Sequence, residues 1–445
     1  MIRKEVIDII SDLNFWYRNQ EIGFKRNELS EFLKFYSLKD LIIFILGMRR
    51  VGKTFLSKQF LAYLINKKEI LPEETLYVNF EDPAFERFLS LPDFLGDVYE
   101  SYRYYINKDK FCVIVFDEIH RVKNWEKSLR IMLEKRENAK IIITGSTSKM
   151  TKGKIFKTLA GRGTKFILYP VDFCNFLKIK DSHKKFLSEK EMEKILREYL
   201  EFGGIPLVII QKGRLEKKLV LKEIYEQILI RDVALEYDFD EELVRKIGYL
   251  LLNSIAKYVS VRKLRNSVKS IMHIGISPTT INKYLKAFED SFLFHFIPIF
   301  SYSIKSAFQY PKKCYVNDTG LANSVLNDFS LARGMENIVY LTLKRKLTSL
   351  GEICYWKDNS GKEVDFLIKE GLKVKQLIQV CYDIENTEVK TREIKSLLKA
   401  SRELNCKDLS VITWNFEKEE KIEDKKIKFI PLGKWLLENK NKLLL

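Results

Sequence analysis

Residues 40–64 decide the fold: Asp40-Leu-Ile-Ile-Phe-Ile-Leu46, then Gly47-Met-Arg-Arg-Val-Gly-Lys-Thr54, then Phe55-Leu-Ser-Lys-Gln-Phe-Leu-Ala-Tyr-Leu64. The first part is a continuous apolar run, which is typical of a strand buried on both faces of a sheet. The third part has the composition of a helix. A strand, a glycine loop and a helix in this order are the context in which Gly-x4-Gly-Lys-Thr binds phosphate. The stretch therefore predicts a P-loop site in an α/β domain.

Each polar position of this loop has a predicted role in binding ATP and Mg²⁺. Gly47 and Gly52 let the backbone turn its N–H groups towards the β-phosphate, at the positive end of the following helix. Lys53 is expected to reach the β- and γ-phosphates, and the hydroxyl of Thr54 is expected to bind Mg²⁺. The other residues predicted to contact the nucleotide are Arg49, Arg50, Val51 and Phe55.

A second apolar run, residues 111–116, ends in Asp117-Glu118-Ile-His120. Beside a phosphate loop, Asp117 is expected to hold the Mg²⁺ shell through water, and Glu118 to polarise the attacking water as general base. The alternative is a strand that merely ends in solvated acids, which the neighbouring phosphate loop disfavours. We expect His120 to be a structural or partner-sensing residue rather than a catalyst.

Two more strands, residues 75–80 and 140–145, complete a predicted parallel sheet. Ligands bind at the carboxyl ends of such strands, so Glu81, Thr144 and Ser146 are candidates for the neighbourhood of the γ-phosphate. Thr144 or Ser146 would sense that phosphate, and ordinary turn chemistry is the alternative.

Arg162 lies in Leu159-Ala-Gly-Arg-Gly163 and is a candidate arginine finger or γ-phosphate sensor, which places it with Glu118 and Lys53 in the predicted catalytic set. A surface arginine in a glycine turn is the alternative.

Composition limits the classes of protein that remain. A chain of 445 residues predicts two to four domains. No apolar run is long enough to span a membrane, and the N-terminus lacks an apolar signal core, so we expect a cytoplasmic protein. The formal charge of +18 favours a polyanionic partner such as nucleic acid, although a general lysine bias would give the same value. The cysteines show no spacing typical of a metal site or a disulfide framework: Cys112, Cys174, Cys314, Cys354, Cys381 and Cys406.

Several motifs together resemble one family of predicted AAA+ superfamily ATPases, mostly archaeal and bacterial and similar to signal-transduction ATPases. The motifs are the phosphate loop, Tyr77-Val-Asn-Phe-Glu-Asp82, Val115-Phe-Asp-Glu-Ile119, Ile143-Thr-Gly-Ser146, Leu168-Tyr-Pro-Val-Asp-Phe173, Tyr199-Leu-Glu-Phe-Gly-Gly-Ile-Pro206 and Ile230-Arg-Asp232. The resemblance spans about residues 42–415. It implies an ASCE-type parallel sheet, ATP binding, ATP hydrolysis and a C-terminal restriction-endonuclease-like domain of unknown function.

The chain therefore divides into four predicted segments. Residues 1–180 form the P-loop domain with an N-terminal helix, and residues 181–240 form a helical lid. Residues 241–333 have the helix, helix, capped helix and hairpin order of a winged helix, with Thr279, Thr280, Asn282 and Lys283 offered to a DNA groove. Over residues 241–335 there are 13 basic and 6 acidic residues, a net charge of +7 that supports DNA contact, and a winged helix that binds only protein is the alternative.

Residues 334–445 have the helix–strand–strand–strand–helix–strand order that resembles a restriction-endonuclease core. In that resemblance Asp365 is the first metal ligand, while Gln379 and Cys381 stand where a second acid and a lysine are wanted. Asp365 with Glu336 alone makes a poor two-carboxylate Mg²⁺ site, so we expect no nuclease activity.

The leading hypothesis is an ATP-driven switch or motor whose nucleotide state changes the pose of the winged-helix and C-terminal domains, with DNA as the expected partner. The alternatives are an ATP-dependent DNA nuclease and a protein-remodelling AAA+ ATPase. A homo-oligomer is left open, and no membrane partner is expected.

Overall fold

The computed structural model describes residues 4–38, 42–135, 138–151, 159, 162–180, 188–303, 310–347 and 350–438. The chain forms two compact units. The first comprises Met1–Tyr169 with Asp290–Phe292, and the second comprises Pro170–Glu289 with Leu293–Leu445. The first compact unit ends at Tyr169, ahead of the predicted domain boundary at residue 180. The backbone N–H of Val171 donates to Gly204 O, and the hydroxyl of Tyr199 donates to Val171 O, within the second unit.

The first unit is built on a five-stranded sheet in the order β2-β3-β4-β1-β5, in which every neighbouring pair is parallel. Both faces of the sheet are covered, which explains the continuous apolar runs in its central strands. All the carboxyl ends lie along one edge, where the predicted site residues follow the strands. The strands are β1 Ile42–Leu46, β2 Thr75–Asn79, β3 Cys112–Asp117, β4 Ala139–Gly145 and β5 Gly163–Ile167.

The helices of this unit pack on the sheet through apolar and aromatic side chains. Phe80, Phe85, Phe94 and Phe116 form one aromatic cluster with ring centroids about 6 Å apart. The helices are Lys4–Ser11, Leu29–Tyr36, Lys53–Asn66, Phe94–Tyr105 and Trp125–Glu134, with short 3-10 turns at Pro72–Glu74, Pro83–Phe85, Ile119–Arg121 and Ser148–Thr151.

The second unit begins with a helical segment, as predicted for residues 181–240. Ser188 caps the helix Glu189–Phe202 through a capping box with Glu191, which fixes where that helix starts. The helices of this segment are Phe173–Lys180, Glu189–Phe202, Pro206–Ile209 and Arg214–Gln227, continued by the π-helical turn Ile228–Leu235.

Residues 241–325 contain the predicted helices and hairpin. Ser260 and Ser277 accept backbone N–H groups at the starts of their helices, so both predicted caps are confirmed. A short strand that sequence reasoning missed, β6, joins the hairpin to give an antiparallel sheet in the order β6-β8-β7. The elements are helices Glu241–Asn253, Val261–Met272, Pro278–Asp290 and Thr319–Val325, with β6 Tyr258–Val259, β7 Phe294–Ile297 and β8 Lys312–Val316.

The C-terminal segment is an α/β domain around a six-stranded mixed sheet in the order β13-β14-β12-β11-β10-β9. The predicted order of helix, three strands, helix and strand is observed. Strands β13 and β14 were not predicted, and β13, Lys-Glu-Glu-Lys-Ile, has little apolar alternation. The elements are helices Leu331–Lys346, Thr387–Glu403 and Leu432–Glu438, and strands β9 Gly351–Lys357, β10 Glu363–Glu370, β11 Lys373–Cys381, β12 Leu409–Thr413, β13 Lys418–Ile422 and β14 Lys425–Pro431.

Among the residues that the structure describes, no helix has both the length and the apolar character needed to cross a membrane.

Candidate nucleotide-binding site

The loop between β1 and the helix Lys53–Asn66 has a backbone that requires glycine at two positions. A Cβ atom at Gly47 would lie 2.2 Å from the carbonyl oxygen of Leu168, so no larger residue fits there. Gly52 has a φ of 96°, in the left-handed region that favours glycine. These two constraints explain why the motif has glycine at both positions. The N–H groups of the resulting loop lie at the start of the helix, where phosphate binds in such sites.

A buried arginine that the sequence analysis missed holds the loop in place. The guanidinium of Arg26 donates to Val51 O at 3.0 Å and to Tyr169 O at 2.8 Å, and pairs with Glu28 at 2.8 Å. Its backbone N–H donates to the side chain of Gln59 on the helix after the loop. Arg26 thus holds both the loop and the helix Lys53–Asn66 in place. No local sequence pattern around Arg26 predicts this role.

Lys53 bridges the loop and the predicted general base. Its ammonium donates to the carbonyl oxygens of Gly47 and Met48, at 3.1 and 3.4 Å, and lies 3.3 Å from Glu118 Oε1. The side chain is buried. A buried ammonium bound only to neutral carbonyls and one carboxylate can transfer its hydrogen bonds to phosphate oxygens, which are stronger acceptors because they are charged.

Asp117 is the most heavily bonded acid of the site. Its carboxylate accepts from Thr54 Oγ1 at 2.6 Å and also from the hydroxyls of Tyr77 and Thr144. Burial raises the pKa of Asp117, and the nearby carboxylate of Glu118 raises it further, while the three hydroxyls oppose this. Oxygen ligands are those that Mg²⁺ prefers, so the adjoining hydroxyl of Thr54 and carboxylate of Asp117 fit this ion.

Glu118 follows β3 with a left-handed backbone, φ 52°, which turns its side chain away from the strand direction. Its backbone N–H donates to Thr144 Oγ1 at 3.1 Å. Its Oε2 atom lies 3.4 Å from Nδ1 of His120, yet neither atom has a hydrogen-bond partner within the described part of the chain. A buried carboxylate oxygen without a donor is suited to accept a proton from a bound water.

The structure places the other predicted nucleotide contacts around the loop. Arg49 pairs with Glu81 at 3.0 Å, an interaction that lowers the pKa of Glu81 against the opposing effect of burial. Arg50 is exposed, Val51 is buried, and the ring of Phe55 is 40% exposed beside Gly23. Ser146 is buried just beyond the carboxyl end of β4, on the edge that carries Asp117 and Glu118.

Thr144 and Tyr77 position Asp117, and neither role was predicted. Thr144 or Ser146 was expected to sense phosphate; the hydroxyl of Thr144 donates to Asp117 and accepts from the Glu118 backbone. Tyr77 is on β2, and Asn14 accepts its backbone N–H and donates to its carbonyl. These contacts join residues 26 to 63 positions apart, which a local motif cannot reveal.

Arg162 is not brought to the site of its own chain. It immediately precedes β5, where Gly163 pairs with Ile42 at the amino end of β1, whereas the loop follows Leu46 at the carboxyl end. Four residues of strand separate these positions by roughly 13 Å. The expectation that Arg162 senses the γ-phosphate of its own chain is therefore wrong. A role on a neighbouring copy stays a prediction.

Comparison with protein families divides the chain into three matched segments. Residues 39–177 match the family described as AAA domain. Residues 193–332 and 333–435 match two families described as domains of unknown function, DUF8612 and DUF4143. The first match and the parallel sheet confirm the P-loop ATPase fold predicted for the first unit.

Similar proteins match along most of their length. An uncharacterized protein of Methanocaldococcus jannaschii is 33% identical over an alignment of 452 positions, gaps included. The alignment covers 98% of this chain and 96% of the relative. An uncharacterized protein of Haemophilus influenzae is 28% identical, over 82% of this chain and 88% of its own. Among solved structures, a Walker-type ATPase of Pyrococcus abyssi matches with a TM-score of 0.42 and 17% identity, covering 68% of this chain and 95% of that chain.

Proposed function

This chain belongs to the same family as its Methanocaldococcus jannaschii relative, and from its AAA-domain match and the site geometry we propose that it hydrolyses ATP with Mg²⁺ to switch the modules of its second unit. The observation that carries the proposal is the convergence of Lys53, Thr54, Asp117 and Glu118 at one edge of the sheet, with contacts of 2.6 Å between Thr54 and Asp117 and 3.3 Å between Lys53 and Glu118. These four residues supply a phosphate-binding cation, two Mg²⁺-binding oxygens and a base.

In this mechanism the loop N–H groups and Lys53 bind the phosphates of ATP. Mg²⁺, held by Thr54 and Asp117, would neutralise charge on the phosphate oxygens. When Lys53 donates to phosphate, it no longer neutralises Glu118, so the carboxylate becomes free to accept the proton of the attacking water. Thr144 holds Asp117 and the backbone of Glu118 in place while Lys53 moves its hydrogen bonds to the phosphates.

The test of this function is ATP turnover by the purified full-length chain with Mg²⁺, alone and with duplex or single-stranded DNA. Phosphate release and DNA integrity are measured in the same reaction. Absence of phosphate release under all three conditions would contradict the proposal. Stimulation by DNA would identify the partner of the switch, whereas indifference to DNA would favour a protein partner.

We assign the DNA contact to residues 241–333 as a winged helix, with Pro278–Asp290 as its recognition helix. The element order of helix, β6, helix, helix, β7 and β8 fits that motif. Thr280 hydrogen-bonds Ser277 at the cap, which leaves Thr279, Asn282 and Lys283 as the predicted groove contacts. The helices Val261–Met272 and Pro278–Asp290 carry exposed basic residues that have no ion-pair partner among the described residues. These are Arg262, Lys263, Arg265, Lys269, Lys283 and Lys286.

We expect DNA affinity to fall steeply with salt, because such a surface binds phosphates and releases counterions. The double change Lys283→Ala, Arg262→Ala should weaken binding on most sequences and reduce the salt slope by about 2. The measurement is DNA binding by fluorescence anisotropy across a salt series. The control is Lys421→Ala, Lys428→Ala, which removes the same charge from exposed positions of the C-terminal domain. Equal affinity loss in both variants, or no binding at low salt, would reassign the winged helix to protein contacts.

We also expect no Mg²⁺-dependent DNA cleavage by the C-terminal domain. Gln379 uses its amide to accept from the backbone N–H of Asp365 and to donate to Glu393. Cys381 is buried, and burial raises the pKa of its thiol to about 12, so it stays neutral. The positions that the nuclease-like resemblance assigns to an acid and a lysine therefore carry no charge.

The assay incubates supercoiled, linear and single-stranded DNA with Mg²⁺ or Mn²⁺, with Asp365→Ala in parallel. Intact DNA in both samples is the expected result. Nicking by the unmodified chain that disappears in the Asp365→Ala variant would promote the nuclease hypothesis to first place.

A further inference from the structure

A buried lysine lies at the centre of an acidic cluster in the second unit. Lys313, on β8, is 3% exposed, and its Nζ atom lies 3.0 Å from Glu336 Oε1, 2.6 Å from Glu363 Oε1 and 2.8 Å from Asp365 Oδ1. Glu336 comes from the helix Leu331–Lys346, and the other two acids come from β10. An ammonium group has three N–H donors, and three carboxylates surround it at hydrogen-bond distance.

Each carboxylate of the cluster also accepts from a second donor. The hydroxyl of Tyr315 donates to Glu336, that of Tyr258 donates to Glu363, and the backbone N–H of Val380 donates to Asp365. The acids are therefore held in place by groups other than Lys313. They are expected to keep their positions when the lysine side chain is removed.

The charge on Lys313 is favoured by its surroundings. Burial lowers the pKa of Lys313, but the carboxylates of Asp365, Glu336 and Glu363 outweigh burial and raise it well above the ordinary value. Burial also raises the pKa of Glu336 to about 7, which reduces the negative charge of the cluster near neutral pH. With Glu336 protonated, two carboxylates remain charged, and the ammonium of Lys313 balances half of that charge.

We propose that Lys313 is the built-in counter-ion of this cluster and occupies the place where a divalent cation would otherwise bind. A Mg²⁺ or Mn²⁺ ion would need the same oxygen atoms at about 2.1 Å. It would then lie next to a buried ammonium of like charge, so the two cations exclude each other. Within the described residues, no group of three His, Cys, Asp or Glu side chains, this cluster included, is placed to hold a metal ion as the structure stands.

The ionic cluster also links two segments that match different families. Lys313 lies in the segment 193–332, whereas all three acids lie in the segment 333–435. These ion pairs hold the three-stranded sheet against the C-terminal α/β domain. Removal of Lys313 alone would leave its acids buried without a counter-charge.

The test is Mn²⁺ binding to the nucleotide-free full-length chain, followed by electron paramagnetic resonance. The change Lys313→Met leaves the acids without their counter-ion, and a cleft of about 830 Å³ lined by Glu363 and Asp365 gives solvent ions access. We expect Lys313→Met to bind one more Mn²⁺ per chain than the unmodified protein, and Lys313→Met, Asp365→Asn to lose that ion. The matched control is Lys312→Met, the adjacent exposed lysine on the same strand, which should gain none.

Two results would overturn the proposal. The first is a Mn²⁺ ion bound by the unmodified chain and lost in Asp365→Asn, since the position would then accept a metal with Lys313 present. The second is a folded Lys313→Met variant that gains no Mn²⁺. Should Lys313→Met unfold without metal, Mn²⁺ is expected to restore a cooperative thermal transition, and failure to restore it counts equally against the proposal.

Discussion

Replacement of Glu118 by glutamine should leave ATP binding intact and slow hydrolysis at least about a hundredfold, equivalent to about 2.7 kcal/mol of barrier. Glutamine has the same shape but cannot accept a proton. The backbone N–H of residue 118 still donates to Thr144, so the left-handed turn after β3 and the position of Asp117 are preserved. Lys53 loses a carboxylate partner, which frees its ammonium for phosphate rather than weakening that contact.

Single-turnover hydrolysis and equilibrium ATP binding, measured on the same preparation, separate these two effects. The matched control is Glu134→Gln, an exposed acid that pairs with Arg130 on the surface of the same unit. It makes the same chemical change away from the site and should leave turnover unchanged. Turnover of Glu118→Gln equal to that of the control would remove Glu118 from the mechanism.

The parts of this site that the sequence predicted are those built from contiguous residues. The loop motif contains its own backbone requirement, because Gly47 and Gly52 are needed for a close approach and a positive φ wherever the loop occurs. Asp117 and Glu118 were predicted because they follow an apolar strand. In a parallel sheet, residues that follow a strand lie at the same edge as the loop that follows β1. Such local rules also predicted the caps Ser260 and Ser277.

The residues that were missed act across long stretches of chain. Arg26 supports the loop from 25 positions away, and Tyr77 reaches Asp117 across two neighbouring strands. Arg162 failed as a sensor for a related reason. Its glycine turn resembles a site loop, but the parallel pairing of β5 with β1 places it at the amino edge. The direction of β5 relative to β1 determines at which edge of the sheet Arg162 lies, and the local sequence does not reveal that direction.

The C-terminal domain shows how a correct local inference can be incomplete. Gln379 and Cys381 are indeed uncharged at the positions predicted to lack an acid and a lysine. The missing cation is nevertheless present, because Lys313 enters the cluster from β8, 52 residues before Asp365. A comparison of strand motifs alone cannot find it, since the lysine belongs to a different sheet.

Replacement of Lys53 by alanine should weaken ATP binding about a hundredfold or more. A hydrogen bond between charged groups contributes about 1.5–3 kcal/mol, and Lys53 is placed to make such bonds with two phosphates. Its ammonium is already buried within the loop, 3.1 Å from Gly47 O, so little side-chain freedom is lost when ATP binds. In the nucleotide-free chain the same ammonium lies 3.3 Å from Glu118, so alanine also leaves that carboxylate without its cation.

Equilibrium binding of a fluorescent ATP analogue with Mg²⁺ measures this effect, and Lys67→Ala is the control. Lys67 is exposed at the carboxyl end of the same helix, so the control removes the same charge and has the same effect on net attraction for ATP. Any loss beyond that of Lys67→Ala reports direct contact with the phosphates rather than long-range attraction. Equal affinities in the two variants would mean that the nucleotide binds elsewhere, because a phosphate seated in the loop cannot avoid residue 53.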